Sequence, residues 1–543
     1  MLGNMMEEPL LISAILEQAQ ENYPQAKVYS RVDGGIVEHS YEQLDQRSRC
    51  LAAYLQSSGV VAGERVASLA WNNHRHLELY YAVSGVGAVM HTINPRLYRD
   101  QVRYIFNHGE AEWLFIEPDF LPLLQEIEAE LPWLRHIVVL APNLAAEQAA
   151  DSRYVAYEQL LASSEPLIPW PSFDENSAAC LCYTSGTTGD PKGVLYSHRS
   201  TVLHAMASVA PNALNISADS VVMPVVPMYH VCAWGVPYSA LLAGATLALP
   251  GSGMAGEALY ELIEHTQATL LLGVPTVWLG LLQYLEGSGA TIDSVETIGV
   301  GGAAAPPMLI KALERHGIYL MPIWGMTETS PLVSYGSSTK VLQAMPAEER
   351  QTLQATAGRG GFGVRLGLFG DDDRPLPRDG KTRGNLRVKG HWVLSNYFRQ
   401  PGSALIDGWF DTGDVATLDA AGYLRIVDRK KDVIKSGGEW ISSIDLENAA
   451  LDHPQVLEAC VIGARHLKWD ERPLLLVVLK EGGKLDKAAI TALMADKLAK
   501  WWLPDDIVAV ESLPHTATGK LLKRDLRTRY RDYLLSEDIT DEA

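Results

Sequence analysis

A stretch rich in glycine, serine and threonine, residues 183–193, constrains the fold of this chain more than any other feature of its sequence. It follows a short apolar run, residues 178–182, which predicts a buried strand. Glycines let the backbone approach a ligand closely, so several N–H groups and hydroxyls can face one anion. Lys192 adds a positive charge suited to phosphate. This order predicts a strand that leads into a phosphate-binding loop, although a flexible surface loop has a similar composition.

The loop does not follow the Walker A pattern. The only Gly-Lys-Thr in the chain ends at Thr382, and Pro375 stands where that pattern needs its first glycine. A second pattern, Gly299-x-Gly301-x-x-Ala304, fits the permissive dinucleotide fingerprint and leaves a nicotinamide- or flavin-dependent oxidoreductase as a remote alternative. The prolines that follow it are unfavourable for a helix that binds pyrophosphate, so this alternative is the weaker one.

Length, charge and cysteine usage exclude several classes of protein. At 543 residues the chain is predicted to form two or more domains. A net charge of −20 argues against nucleic acid as a partner and against lasting contact with anionic membranes. Five scattered cysteines fit a reducing cytoplasm better than a disulfide framework. The N-terminus lacks a signal-peptide pattern and no apolar run is long enough to span a bilayer, so we expect a cytoplasmic protein with no stable membrane insertion.

Helical and strand patterns alternate along the first part of the chain. The run at 41–56 indicates an amphipathic helix behind a Ser40 cap, and apolar strand patterns lie on either side of such helices. This alternation predicts an α/β fold with mixed or parallel sheets and helices. A further helix is predicted over 256–266. A charge run at 428–432 precedes a smaller pattern, in which helices are predicted over 443–451 and 487–499. We therefore predict a large multi-sheet domain over residues 1–428 and a small, mobile α+β domain over residues 429–543.

Three further motifs follow the loop: Trp-Gly-Met-Thr-Glu-Thr at 324–329, Gly-Trp-Phe-Asp-Thr-Gly-Asp at 408–414, and Pro-His-Thr-Ala-Thr-Gly-Lys at 514–520. In this order they resemble the acyl-adenylate-forming (AMP-binding) superfamily, in its acyl-CoA synthetase branch. Within that branch the chain is most similar to medium-chain fatty acyl-CoA synthetases and 3-methylmercaptopropionyl-CoA ligases. Asn385 stands where the family usually has glutamate, and His515 replaces a commoner basic residue. Neither departure touches a proposed catalytic atom.

The resemblance implies a site for ATP and Mg²⁺. The loop would cover the β- and γ-phosphates, an aromatic ring would stack on adenine, and Asp414 would accept hydrogen bonds from the ribose hydroxyls. Arg429 would contact ribose and phosphate, while Thr184 and Glu328 would hold Mg²⁺. The residues implied for the nucleotide are Thr184, Ser185, Gly186, Thr187, Thr188, Gly189, Lys192, Gly301, Gly302, Ala303, Trp324, Gly325, Met326, Thr327, Asp414 and Arg429.

The resemblance also implies two chemical steps with a domain rotation between them. In the first step Lys520 would bridge the substrate carboxylate and the α-phosphate. Lys431 lies at the family's hinge position, about which the small domain would then turn. That turn would bring the coenzyme A loop to the active site, formed by Gly437, Gly438, Glu439 and Trp440. The residues implied for catalysis are Lys520, His230, Glu328 and Thr184.

An acyl pocket is implied by residues 227–235, Pro-Met-Tyr-His-Val-Cys-Ala-Trp-Gly. There His230 would border the carboxylate and Trp234 would act as a gate or wall, with Gly301 and Trp324 beside them. A packed aromatic cluster around a core histidine is the alternative interpretation. Two indoles make such a pocket apolar, and their bulk limits the length of the acyl chain that it can hold. We therefore expect a short- to medium-chain aliphatic or thioether acid, with long-chain and aromatic acids as runners-up.

The expected reaction joins a carboxylic acid to coenzyme A at the expense of ATP. It passes through an acyl-adenylate and gives acyl-CoA, AMP and pyrophosphate, with positioning and charge neutralisation as the main work of the protein. The expected partners are a small carboxylic acid, ATP and coenzyme A, with a homodimer as a possible assembly. A non-catalytic binding module is the remaining rival, which pyrophosphate release on addition of acid would exclude.

Overall fold

The computed structural model describes residues 1, 3–32, 34–184, 190–437, 439–515 and 521–535. Within these residues the strands form four sheets, and helices cover them. The α-helices are Ile12–Asn22, Tyr41–Ser57, His74–Gly85, Arg99–Gly109, Leu121–Ile127, Ala146–Ala149, Tyr157–Ala162, His198–Ser208, Val236–Ala243, Gly256–Thr266, Pro275–Ser288, Pro307–Arg315, Lys340–Gln343, Ala347–Gln354, Ser443–Leu451, Lys487–Ala495 and Lys523–Tyr530.

The first sheet carries the glycine-rich loop at one edge. Its strands are parallel except the last, which returns antiparallel after the loop. Helices cover both faces, so the central strands are buried along their whole length, as parallel sheets require. In spatial order the strands are Tyr154–Ala156, His136–Val139, Trp113–Ile116, Arg65–Leu69, Val89–Thr92, Ala178–Tyr183 and Gly193–Ser197.

The second sheet is parallel at its centre and antiparallel at both ends. In spatial order its strands are Arg359–Gly360, Leu332–Tyr335, Tyr319–Gly325, Thr297–Val300, Leu270–Gly273, Val221–Pro224, Thr246–Leu249, Lys27–Val32 and Gly35–Ser40. Helix His74–Gly85 is buried at every residue and contacts strands of both sheets. A helix with no solvent-facing side is the expected filling between two sheets.

The capped helix predicted from residue 41 is present at Tyr41–Ser57. The Ser40 side chain accepts a hydrogen bond from the backbone N–H of Gln43, and the Gln43 side chain accepts one from the backbone N–H of Ser40. These reciprocal bonds satisfy amide groups that a helix start would otherwise leave open.

The remaining two sheets are largely antiparallel. One contains Val364–Phe369, Gly384–Gly390, Trp409–Leu418, Leu405–Ile406 and Leu424–Arg429. The other lies in the C-terminal part and contains Glu439–Ile441, Ile434–Ser436, Asp470–Leu479, Val456–His466 and Asp506–Ala509. Its helices Ser443–Leu451 and Lys487–Ala495 pack on one face through a separate apolar core.

The predicted α/β fold with a smaller α+β domain is confirmed. The domain boundary at 428/429 stays a prediction; the last strand of the antiparallel sheet before it ends at Arg429. The dinucleotide fingerprint lacks its geometry, because the helix after strand Thr297–Val300 begins only at Pro307. Across the described ranges, none of the helices combines the length and apolar character needed to cross a membrane.

Candidate active site

The two strands that flank the glycine-rich loop close its base. Tyr183 pairs with Gly193 in the antiparallel ladder, and the backbone N–H of Thr184 donates to the Lys192 carbonyl at 2.9 Å. The Lys192 N–H donates in return to Thr184 Oγ1 at 3.3 Å. The residues between them that we predicted to bind phosphate lie outside the described residues: Ser185, Gly186, Thr187, Thr188 and Gly189. The described base therefore fixes where such a loop starts and ends.

Glu328 lies in a short 3₁₀ turn, Thr327–Thr329, behind strand Tyr319–Gly325. The turn is held close to the loop because Tyr196, on the strand after it, donates from its hydroxyl to the Thr327 carbonyl at 2.7 Å. Glu328 is 8% exposed, and its Oε1 accepts a hydrogen bond of 2.9 Å from the hydroxyl of Tyr397. The carboxylate that we predicted to hold Mg²⁺ thus lies on a turn that is bonded to the strand following the glycine-rich loop.

A buried carboxylate marks the predicted ribose position. Asp414 on strand Trp409–Leu418 is 2% exposed and pairs in register with Arg429. Arg429 Nε lies 2.9 Å from Asp414 Oδ1, and Arg429 Nη1 donates to the Thr412 carbonyl at 3.3 Å. An acceptor-only carboxylate beside a guanidinium suits hydroxyl donors and phosphate together. The structure therefore brings together the two residues that the sequence assigned to ribose.

The predicted adenine segment and the predicted acyl segment meet at Gly301. A Cβ at Gly301 would lie 2.9 Å from the Ile323 carbonyl oxygen and 3.0 Å from the ring of Trp234. Only glycine leaves this close approach free of a clash. Trp324 follows Ile323 on the same strand and is half-buried against the core. Gly302, Ala303, Gly325, Met326 and Thr327 complete the predicted set on these two strand ends.

The acyl segment has an unusual backbone. Val231, Cys232, Ala233 and Trp234 have φ between +43° and +58°, in the left-handed region. For residues with a Cβ this conformation costs about 1–2 kcal/mol each, so packing must hold it. The four residues are buried, and Cys232 Sγ lies 3.2 Å from Cys180 Sγ. Trp234 is thereby fixed beside Gly301 instead of projecting from a helix.

Sequence reasoning missed Asn72, whose side chain holds the start of the acyl segment. Its amide nitrogen donates to the carbonyls of Pro224 and Val226, both at 2.9 Å. Its amide oxygen accepts from the Met228 N–H at 2.6 Å. Asn72 is fully buried and follows a strand of the first sheet, so it ties that sheet to residues 224–228. Two residues further on, His230 is half-buried.

The predicted hinge and coenzyme A loop lie on the C-terminal part. The Lys431 carbonyl accepts a hydrogen bond of 3.0 Å from Arg527 Nη1. Gly437 has φ +58°, and a Cβ there would lie 2.8 Å from the Trp469 ring, so glycine is required. The Trp440 carbonyl accepts from Arg383 Nη1 at 2.6 Å. Gly438, the Glu439 side chain and Lys520 lie outside what the structure describes.

Asp428 is a second residue that sequence reasoning missed. It is 1% exposed, and its Oδ2 accepts from the N–H of Ser443 at 2.7 Å and from the Ser443 hydroxyl at 2.6 Å. Its Oδ1 accepts from the Arg429 N–H at 2.7 Å. The carboxylate thus joins the last strand before the predicted hinge to the first turn of helix Ser443–Leu451, where a negative charge is favourable.

Known proteins resemble this chain along nearly its whole length. A family model described as AMP-binding enzyme matches residues 16–398, and one described as AMP-binding enzyme C-terminal domain matches residues 445–520. The 3-methylmercaptopropionyl-CoA ligase of Ruegeria pomeroyi is 48% identical, over 98% of this chain and 100% of its own length. The medium-chain-fatty-acid–CoA ligase of Ectopseudomonas oleovorans is 45% identical, over 98% of each chain.

A solved structure shares the fold. The crystal structure of an anthranilate CoA ligase in complex with anthranoyl-AMP superposes with a TM-score of 0.85 at 23% identity. The match covers 97% of this chain and 99% of that one. The arrangement of sheets and of the C-terminal part is therefore common to both proteins.

Proposed function

The chain belongs to the AMP-binding enzyme family, and from that membership we propose that it activates a short- to medium-chain aliphatic or thioether carboxylic acid. It is an acid–thiol ligase that uses ATP, Mg²⁺ and coenzyme A. Its products are acyl-CoA, AMP and pyrophosphate, formed through an acyl-adenylate. This membership leaves the oxidoreductase and the non-catalytic module without support.

The position of Trp234 is the observation that supports the proposed chain length of the acid. Its ring lies against Gly301, at the border between the nucleotide segment and the acyl segment. We infer an acyl pocket that ends at this buried indole, in which each buried methylene gains about 0.8 kcal/mol until the chain reaches the ring. Beyond that point overpacking costs about 1–3 kcal/mol. The relatives named for 3-methylmercaptopropionate and medium-chain fatty acids fit a wall of this kind.

In the first step the substrate carboxylate attacks the α-phosphorus of ATP and pyrophosphate leaves. Asp414 and Arg429 orient the nucleotide through ribose and phosphate, Lys192 meets the outer phosphates, and His230 borders the carboxylate. Lys520 neutralises the charge that develops between carboxylate and α-phosphate. Positioning of this kind converts a collision between two anions into a reaction within one complex.

Glu328 and Thr184 fit Mg²⁺ as its protein ligands. Both offer oxygen, the donor atom that Mg²⁺ prefers. Glu328 is buried and fixed by a hydrogen bond, and Thr184 sits at the base of the loop. Bound there, the ion would neutralise phosphate charge during adenylation.

In the second step the thiol of coenzyme A attacks the acyl carbonyl and AMP leaves. Lys520 stands in the way of the thiol, so residues 429–543 turn about Lys431 and present Gly437, Gly438, Glu439 and Trp440. Trp469 leaves no room for a side chain at Gly437, and we propose that the loop glycines let the backbone approach the pantetheine chain. We place this division of the chain at residue 428, and we place the protein in the cytoplasm on the strength of its few scattered cysteines.

Exchange of labelled pyrophosphate into ATP, dependent on added acid, tests the proposal. The panel runs from acetate to palmitate and includes 3-(methylthio)propionate and benzoate, with thioester formation measured in parallel. We expect the highest kcat/KM for a short or medium straight chain or for the thioether. A maximum at palmitate or at benzoate would contradict the proposed acid and leave the adenylation chemistry standing.

A further inference from the structure

We propose that Tyr397 is a positioning residue for adenylation, which holds Glu328 with its hydroxyl and Lys192 with its ring. The proposal rests on the proposed function, because it takes Glu328 as a ligand of Mg²⁺ and Lys192 as a partner of phosphate. Tyr397 lies outside every motif that the sequence analysis used. Its role follows from where the fold places it.

The backbone on both sides of Tyr397 is tied to the active site. Three residues before it, the Leu394 N–H donates to the Glu328 carbonyl at 2.9 Å. One residue after it, the Phe398 N–H donates to the Gly193 carbonyl at 2.9 Å, at the end of the glycine-rich loop. Tyr397 therefore sits on a short segment anchored to the Glu328 turn at one end and to the loop at the other.

The side chain of Tyr397 contacts both charged groups. Its hydroxyl donates to Glu328 Oε1 at 2.9 Å, and Lys192 Nζ lies 4.8 Å from the centroid of its ring. A hydrogen bond to a carboxylate is stronger than one between neutral groups and fixes the plane of that carboxylate. A cation bound through the other oxygen of Glu328 would then meet a ligand already in place.

The contact with the Tyr397 ring holds the Lys192 ammonium without neutralising its charge. An ion pair between Lys192 and a carboxylate would neutralise the lysine before phosphate arrives. Among the residues that the structure describes, the Lys192 ammonium contacts the Tyr397 ring and forms an ion pair with no carboxylate. The neutral ring holds the ammonium by a cation–π contact, which is weak at an exposed site and is readily exchanged for phosphate. Lys192 is exposed, as such an exchange requires.

The hydroxyl of Tyr397 is the donor in this contact, because the carboxylate of Glu328 can only accept.

Two substitutions separate the contacts. Tyr397→Phe keeps the ring and removes the hydroxyl, whereas Tyr397→Leu removes both. Tyr260→Phe, on helix Gly256–Thr266 beside Tyr284, is the matched control for loss of a phenol hydroxyl elsewhere. Each protein is titrated with Mg²⁺ at fixed ATP, first by acid-dependent pyrophosphate exchange and second by the rise in melting temperature that Mg²⁺ and ATP cause.

We expect Tyr397→Phe to need ~10-fold more Mg²⁺ for half-maximal exchange and for the half-maximal thermal shift, with kcat restored at saturating Mg²⁺. Tyr397→Leu should add a rise of ~2–5-fold in the KM for ATP that saturating Mg²⁺ does not correct. Tyr260→Phe should match wild type. An unchanged Mg²⁺ requirement in Tyr397→Phe overturns the proposal. So does an equal loss in both variants together with a lowered melting temperature without ligand, since that marks a packing role.

The proposed function can fail separately. If wild type exchanges no pyrophosphate with any acid of the panel, the function is wrong. The Mg²⁺ dependence of the thermal shift by ATP still tests Tyr397 in that case, because it needs no acid. A ~10-fold displacement in Tyr397→Phe would then support the contact and its absence would overturn it.

Discussion

The acyl side and the phosphate side of the proposed active site are held in different ways. The acyl side, residues 227–235 with Gly301, is mostly buried and is held by packing. That packing also holds a left-handed backbone that the local residue types do not favour. The phosphate side, Lys192, Glu328 and Tyr397, depends on a few directed contacts around a charged lysine that is exposed. Packing selects by shape and acts over many atoms, whereas directed charges act on whatever phosphate is present. Damage to the acyl side should therefore change which acid reacts, and damage to the phosphate side should slow every acid alike.

The largest expected effect is that of Lys520, the residue proposed to bridge the substrate carboxylate and the α-phosphate. Lys520→Ala should lower adenylation by ~10²–10³-fold for every acid, since one charge-stabilising contact to the transition state is lost. Thioester formation from supplied acyl-AMP should survive, because the lysine is assigned to the first step only. Separate assays of the two half-reactions check this. Lys484→Ala, at an exposed position of the small domain, is the control. An equal loss in both half-reactions would refute the assignment of Lys520 and the rotation built on it.

A substitution at the border between the two sides should show a smaller and more selective effect. Gly301→Ala places a methyl group 2.9 Å from the Ile323 carbonyl oxygen and 3.0 Å from the Trp234 ring. Overpacking of this kind costs about 1–3 kcal/mol, so we expect a loss of ~10-fold or more in kcat/KM. The loss should grow with the length of the acid if the displaced indole narrows the pocket.

Gly280→Ala is the control for that border, because a Cβ there meets nothing within 4 Å. It lies in helix Pro275–Ser288, where alanine is the better helix former. Kinetics over the same acids with both variants decide the point. A loss in Gly301→Ala that is the same for all acids and sits in the KM for ATP would place Gly301 on the phosphate side instead.

The sequence predicted those parts of the fold and site that depend on neighbouring residues. Helices Gly256–Thr266 and Ser443–Leu451 have the predicted bounds, because their apolar spacing and flanking residues are local signals. The helix expected over 487–499 stops at Ala495, and a 3₁₀ turn at Lys500–Trp502 follows. Trp502 in that turn packs against the apolar core of the C-terminal part, whereas Trp501 is exposed.

Contacts between distant residues could not be predicted in this way. Asn72 binds Met228 across 156 positions, and Tyr397 binds Glu328 across 69. The residues next to Asn72 and Tyr397 in the sequence contain no pattern that indicates these partners. The left-handed run at Val231–Gly235 contains only one glycine, so its composition indicates no such conformation. The motifs therefore identified the charged residues of the proposed site. The contacts that hold those residues in position became visible only in the structure.

Trp234→Ala sharpens the comparison on the acyl side. Removing the wall should shift the best acid to a longer chain, with a gain of roughly fourfold in kcat/KM for each further methylene that becomes buried. The rate with the shortest acids should fall little, since the phosphate side is untouched. Kinetics over the homologous series check this, with Trp133→Ala, an exposed indole, as the control. A lower rate with every acid at an unchanged optimum would mean that Trp234 is scaffold and not wall.

The smallest expected effect concerns His204, a buried histidine beside the acyl side, and the pH dependence of the free energy of unfolding. His204 is 1% exposed beneath Gly235, whose Cβ would lie 2.7 Å from the imidazole ring. Its Nε2 accepts a hydrogen bond of 3.1 Å from the Leu332 N–H, so the ring must stay neutral there. Burial accordingly lowers the pKa of His204 to about 3.

The sign of the pH dependence follows from that shift. In the unfolded chain the imidazole of His204 is protonated below about pH 6.5. In the folded protein it stays neutral down to about pH 3. Unfolding therefore binds a proton in this range, and the free energy of unfolding falls as the pH falls, by about 0.8 kcal/mol at pH 6 for this residue. His204→Gln, which can still accept from Leu332, should remove that share of the slope. Urea unfolding at pH 6 and pH 8 measures it, and an unchanged pH dependence in the variant would show that His204 does not make the acyl side sensitive to acid.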